Sequence, residues 1–215
     1  MNAAAVLFDL DGTLLDTERS ALASGAEAFA AMGIPLPDGF LLQLVGKDHA
    51  TCIGIIHDEL GDVDTTTLDR HWAAASRRRL QAGVDAKPGA FELLDHLHRL
   101  GLPLGIVTSS VRDSADLKIS RSGIGRYFST VVTASDVQHP KPAPEPYLLA
   151  AARLDLAAGR CVVFEDSETG AQAGQAAGMR VVQVPDMLPS EGRYATHLAP
   201  SLLDGARAAG LWPQS

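Results

Sequence analysis

Apolar residues in this chain gather in short runs that each end on a polar residue: Ala5–Phe8, Pro103–Val107, Thr130–Thr133, Cys161–Phe164 and Arg180–Val184. Runs of this length, rich in valine and bounded by polar or turn residues, predict buried strands. Between the later runs the pattern changes period. "AFELLDHLHRL", "VRDSADLKISRSG", "PEPYLLAAARL" and "GAQAGQAAG" read as helices. Strands alternating with helices predict an α/β fold with a parallel sheet buried on both faces. One stretch departs from the alternation. From Thr17 to about Gly83 no strand pattern occurs, and "ERSALASGAEAFAAMG", "ATCIGIIHDELG" and "TTTLDRHWAAASRRRLQAG" are helical, punctuated by "IPLPDG" and Gly61. Roughly 65 residues are too many for a loop of a compact domain. The pattern therefore predicts an all-helical domain, residues 17–83, inserted into an α/β core of residues 1–16 and 84–215, with hinges near Asp16–Thr17 and Gly83–Gly89.

In open α/β sheets, ligands bind beyond the carboxyl ends of the strands. Asp9, Thr108 and the Glu165–Asp166 pair each follow such a strand directly, so three strands aim polar residues at one edge. The sharpest of these stretches is "VLFDLDGTLLDTE", which sets Asp9 and Asp11 at the tip of an apolar strand. Two carboxylates there repel, and either of two chemistries would account for them. A cation sits between them, or one of them attacks a substrate. Taken alone, the pair could also simply cap a turn.

Composition narrows the field. Of 215 residues 46% are hydrophobic, enough for a sizeable core. The formal net charge of −8 argues against nucleic acid or an anionic membrane as partner, since both call for basic patches. It leaves open a small phosphorylated substrate, because a bound metal reverses the field locally. Two distant cysteines, Cys52 and Cys161, without metal-ligand spacing, point to a reduced, cytoplasmic protein. The start "MNAAAVLFDLDG" lacks the pattern of a signal peptide. No apolar run reaches the ~18 residues of a membrane span.

With the motifs taken together, a family resemblance emerges. "DLDGT" (Asp9–Thr13) resembles the first motif of the haloacid dehalogenase-like superfamily, and "GIVTSS", "HPKPAPEPYLLAA" and "CVVFEDSETGAQAGQAAGM" resemble its second, third and fourth, in the right order. The resemblance spans nearly the whole chain, and the helical insertion falls where that family carries a cap. The branch it is most similar to comprises phosphatases and phosphoglucomutase-like proteins. The resemblance implies a Rossmann-like core and a Mg²⁺ site, with Asp9 and Asp166 as side-chain ligands, Asp11 as a backbone-carbonyl ligand and Glu165 as an auxiliary one. Asp9 would attack phosphorus to form an aspartyl phosphate. Asp11 would protonate the leaving alcohol and then deprotonate the hydrolytic water. Thr108 and the backbone N–H groups that follow, beginning with Ser109, would hold phosphate oxygens, and Lys141 would neutralise charge on the nucleophile and the transferred group. Gly12 would let the chain turn sharply after Asp11.

In the insertion, "LVGKDHA" puts Lys47, Asp48 and His49 where related proteins carry specificity residues; Lys47 and His49 are the candidate substrate contacts. Arg77–Arg79 reads as a charged helix face and Trp72 as core of the insertion. The resulting expectation is a monomeric Mg²⁺-dependent phosphatase for a sugar phosphate or a short phosphorylated acid, its cap closing over the cleft. Three other readings compete. A phosphosugar mutase resembling this chain would carry a histidine in the first cap helix and an arginine in the cap loop, where Ala21 and approximately His49 stand. Carbon–phosphorus cleavage through a Schiff base, for which Lys47 is the candidate, occurs in members that lack the second aspartate, and Asp11 is present. A catalytically silent binding module would be attractive if Asp9, Lys141 or Asp166 were missing; all are present.

Overall fold

The computed structural model describes residues 3–45, 47 and 49–213. The chain divides into two compact units, one running up to Asp16 and resuming at Asp85, the other comprising Thr17–Val84. The first unit holds the strands β1 (Ala5–Phe8), β2 (Leu104–Val107), β3 (Thr130–Val132), β4 (Cys161–Glu165), β5 (Arg180–Gln183) and β6 (His197–Leu198). They form a six-stranded sheet in the order β3-β2-β1-β4-β5-β6. Every pairing is parallel. The chain steps outward from β1 to β3, then returns to lay β4 along the other side of β1. The order therefore reverses between β1 and β4, and in open α/β sheets ligands bind beyond the strand ends at such a reversal.

Both faces of the sheet are covered, as near-continuous apolar strands require. Ala5, Leu7, Cys161 and Val163 share one buried cluster with Tyr147, Ala150, Ala171 and Ala173. These last come from the helices α6 (Glu145–Arg153) and α7 (Glu168–Ala176). The alternating positions Phe8 and Phe164 are register partners and stack with ring centroids 5.0 Å apart. That pairing sets Asp9, one residue beyond Phe8, beside Glu165, with the Asp9 N–H donating to the Phe164 carbonyl at 2.9 Å.

Each strand expected from the sequence forms within a residue of its bounds. The terminal β6 and helix α8 (Leu202–Ala208) carry too little pattern to be read. Strand β6 has two residues, and α8 has Gly205 at its centre, a poor helix former. The reason for glycine there is tertiary: a Cβ at Gly205 would lie 2.4 Å from the Val182 side chain.

The second unit holds the helices α1 (Thr17–Ala31), α2 (His49–Leu60) and α3 (Thr65–Ala82), with a short 3₁₀ turn at Phe40–Leu44 that periodicity did not announce. Its core gathers Phe29, Phe40, Ile56 and Leu68, with Trp72 packed against it. Trp72 meets Phe29 edge-on at 6.3 Å. It fits only because residue 25 is glycine, where a Cβ would sit 2.6 Å from the indole. Trp72 is thus a packing residue. Arg78 and Arg79 pair with Glu27 of α1 along an exposed face. The Asp64 carboxylate caps α3 by accepting from the Thr67 N–H at 3.0 Å. No helix among the described residues is long and apolar enough to cross a membrane.

Candidate active site

Four segments of the first unit meet at the carboxyl edge of the sheet. Asp9 follows β1, Thr108 follows β2, Glu165 closes β4 with Asp166 after it, and Lys141 comes from the loop ahead of α6. Asp9 is 7% exposed and Glu165 fully buried. The Lys141 ammonium donates to Asp9 Oδ1 at 2.6 Å, to the Val107 carbonyl at 2.8 Å and to Glu165 Oε1 at 2.5 Å. Three acceptors match its three protons. The Lys141–Pro142 peptide is cis.

Glu165 is held from every side. Its Oε1 also accepts from the Tyr147 hydroxyl at 2.6 Å, and its Oε2 from the Ser167 hydroxyl at 3.2 Å. Ser167 in turn caps α7, accepting from the Gly170 N–H at 3.1 Å. The carboxylate lies so close to that first turn that a Cβ on Gly170 would fall 1.9 Å from Glu165 Oε1. Gly170→Ala is therefore expected to push Glu165 off Lys141 and destabilise the protein by about 1–3 kcal/mol. Urea unfolding of the variant checks it; a midpoint equal to wild type would mean that the turn yields instead.

Charges explain the arrangement. Burial raises the Asp9 carboxyl well above the usual carboxylate range; Lys141 opposes this, while Glu165, Asp166 and Asp11 add to the rise. Burial also works against the Lys141 ammonium, but the Asp9 and Glu165 carboxylates beside it prevail and hold its pKa above the ordinary lysine value. Burial and the neighbouring Glu165 likewise raise the Tyr147 phenol, which stays a proton donor. Asp9, Glu165 and Asp166 present oxygens within 4.8 Å of one another. Asp166 packs against the turn after Asp11: Gly12 has φ +84°, and a Cβ there would lie 2.5 Å from Asp166 Oδ2. Glycine at position 12 thus serves both the turn and the close approach of a carboxylate.

Asp11 occupies the other side of the site. The Ser110 hydroxyl donates to its Oδ2 at 2.8 Å, and the Lys118 ammonium to its Oδ1 at 2.6 Å. The Thr108 hydroxyl faces the same Oδ2 at 3.4 Å and accepts from the Ser110 N–H at 3.0 Å. Ser109 is exposed at the same edge. Lys47 and His49 belong to the helical unit, both exposed. They stand on the wall of a cavity of about 390 Å³ within that unit, beside Leu44, Ile53 and Trp72. The His49 ring lies 3.4 Å from the Asp69 carboxylate. Asp48 lies outside the described residues.

Sequence reading missed Ser110, Lys118, Tyr147 and Ser167. Tyr147 sits on the apolar face of α6 and reads as core; its signal was that a buried phenol needs a polar partner. Lys118 reads as a solvated helix lysine. Its only signal is position, three residues after the buried Ala115 and hence on the same side of its helix.

Comparison with known proteins agrees with this geometry. A sequence model of the haloacid dehalogenase-like hydrolases matches residues 6–184. The fructose-1-phosphate phosphatase YqaB of Escherichia coli (strain K12) is 34% identical over 182 residues, 84% of this chain and 96% of its own. The validoxylamine A 7'-phosphate phosphatase of Streptomyces hygroscopicus subsp. limoneus is 35% identical over 181 residues, 80% of this chain and 81% of its own. Among solved structures, a HAD family hydrolase from Deinococcus radiodurans R1, with bound phosphate and sodium, superposes with a TM-score of 0.83 at 28% identity. It covers 99% of both chains. A motif series, a sheet order and a match across most of the chain thus converge: this protein belongs to the haloacid dehalogenase-like hydrolases.

Proposed function

We propose that this hydrolase is a Mg²⁺-dependent phosphatase that cleaves a small phosphorylated metabolite through a covalent intermediate on Asp9. The observation that carries the reading is the meeting of Asp9, Glu165 and Asp166 at the sheet's reversal point, with Lys141 bound to both Asp9 and Glu165. The donor set suits a hard divalent cation, which takes one or two carboxylates and leaves positions for substrate oxygens. Asp9, Asp166 and the Asp11 carbonyl are assigned as ligands. Glu165, its oxygens engaged by Lys141, Tyr147 and Ser167, is assigned to orienting Lys141 behind them. Bound there, Mg²⁺ supplies charge that balances the carboxylates and withdraws electron density from the phosphoryl oxygens.

The chain's own groups carry the chemistry. An Asp9 oxygen forms a bond to phosphorus while the ester P–O bond breaks, and the Asp11 carboxyl gives its proton to the departing oxygen, releasing the alcohol. Water then attacks phosphorus, Asp11 takes its proton, and cleavage of the acyl–phosphate bond returns the Asp9 carboxylate and frees orthophosphate. Lys141 stays protonated and balances charge on the Asp9 side, while Thr108 and the N–H groups after it receive phosphate oxygens. The helical unit is assigned the choice of substrate. Sugar phosphates lead, since the relatives are named for fructose 1-phosphate and a phosphorylated validoxylamine. A mutase is the less favoured reading, as Ala21 on the cavity wall has no group to move a proton.

Phosphate release from a panel of sugar phosphates and short phosphorylated acids tests the reading. Hydrolysis of at least one is expected with Mg²⁺, falling by about 100-fold or more with chelator, the scale of losing charge stabilisation in such sites. Hydrolysis indifferent to chelator would remove the metal. Conversion of one phosphate isomer into another, without release, would replace the phosphatase by a mutase.

A further inference from the structure

Two aspartates only two positions apart are given opposite tasks, and each is held by its own lysine. Lys141 belongs to Asp9. Building on the phosphatase reading, we infer that Lys118 is the positioning residue of the acid–base carboxylate Asp11. Its ammonium donates to Asp11 Oδ1 at 2.6 Å and to the Ser110 hydroxyl at 2.9 Å, and that hydroxyl donates to Asp11 Oδ2 at 2.8 Å. The three groups close a ring in which both carboxylate oxygens are engaged, so the carboxylate plane cannot turn without breaking a bond.

The alternative is an ordinary surface ion pair of little consequence. Two observations decide against it. The pair is largely shielded, with 17% of the Lys118 side chain and 29% of the Asp11 side chain exposed. The helix that presents Lys118, α5 (Arg112–Ser122), is also anchored at its start. The Arg112 N–H donates to the Ser135 hydroxyl at 3.1 Å, and its guanidinium reaches the Val131 carbonyl at 3.1 Å and Asp136 at 2.6 Å. A lysine on a fixed helix defines a point in space to which a carboxylate can be tied. Asp11 uses such a tie because its backbone turn fixes the Cα but not the side-chain torsions that aim the carboxylate. Proton transfer demands that the donor oxygen be placed within a fraction of an ångström.

Leaving-group dependence separates positioning from structure, because an alkyl alcohol needs a proton to depart and p-nitrophenolate does not. kcat/KM, which reports the step that expels the alcohol, is measured for ethyl phosphate, phenyl phosphate and p-nitrophenyl phosphate with the Mg²⁺-loaded enzyme. Lys118→Met is expected to lose about 10–100-fold on ethyl phosphate, within the range of general acid catalysis, and under about threefold on p-nitrophenyl phosphate. Lys118→Arg is expected to restore most of the loss. Equal losses on all three esters, or no loss on any, would overturn the assignment. So would wild-type enzyme that hydrolyses the aryl esters alone, since it would have no working acid to position. Wild-type enzyme inert on every ester and on the sugar phosphates would instead overturn the phosphatase reading itself, and this assignment with it.

Discussion

Asp9→Asn is expected to abolish turnover, by about 10⁴-fold or more in kcat, while the protein stays folded. An amide oxygen is a poor nucleophile toward phosphorus, and removal of a nucleophile in enzymes that work by covalent transfer costs this much or more. Structure should survive for two reasons. The Asn carbonyl can still accept from Lys141, which bonds Asp9 at 2.6 Å. A neutral side chain also removes the cost of a buried charge, the main cause of the raised Asp9 carboxyl, and the lesser repulsion from Glu165, Asp166 and Asp11. Melting temperature is expected to move by no more than a few degrees, the scale of about 1 kcal/mol in a chain of this size. Kinetics with the best substrate, alongside a thermal melt, check both halves. A folded variant within tenfold of the wild-type rate would put the nucleophile elsewhere.

Lys141→Met is expected to cost both activity and stability. The side chain is 4% exposed and pairs with Asp9 and with the fully buried Glu165. Methionine matches its length and fills its volume, but leaves two buried carboxylates facing each other without their cation. Breaking a buried pair in this way costs about 3–5 kcal/mol. The loss should depend on pH in a defined direction. Without Lys141, the folded-state pKa of Asp9, already raised by burial, rises further above the unfolded carboxylate value of about 4. The native state then binds more protons than the unfolded chain, so stability falls as pH rises from about 4 through the raised value. In wild type the lysine's own pKa is raised by the two carboxylates. Its contribution is full below the ordinary lysine value and is lost only as pH rises through the folded one. Guanidinium unfolding of variant and wild type at pH 4, 6 and 8 measures the difference. A gap that stays constant or narrows with pH would show that the carboxylates do not rely on Lys141.

Much of this protein was legible in its residues. Strand β1 could be read because four consecutive apolar residues have no other stable use ahead of two aspartates, and short runs of apolar and β-branched residues located β2, β4 and β5. The motif aspartates Asp9, Asp11 and Asp166 were legible because acidic residues directly after buried strands are costly without a purpose. Lys141, between two prolines, was legible only through the order of the motifs around it.

What the residues could not state is which side chains meet across long separations. Tyr147 and Ser167 belong to the site because α6 and α7 cover one face of the sheet and bring a phenol and a helix cap onto Glu165. Neither residue has a local pattern that says so. Ser110 escaped notice beside Ser109 for the same reason: the turn after β2 exposes the first serine and aims the second at Asp11. Lys118 is separated from Asp11 by 107 positions, and one lysine on a helix is indistinguishable in sequence from a solvated one. Periodicity and motif spacing, being local, determined the elements and the acidic centre. Partnerships such as Lys118 with Asp11 and Gly170 with Glu165 were decided by packing, because only the folded sheet sets the distances at which a charge finds its partner or a Cβ no longer fits.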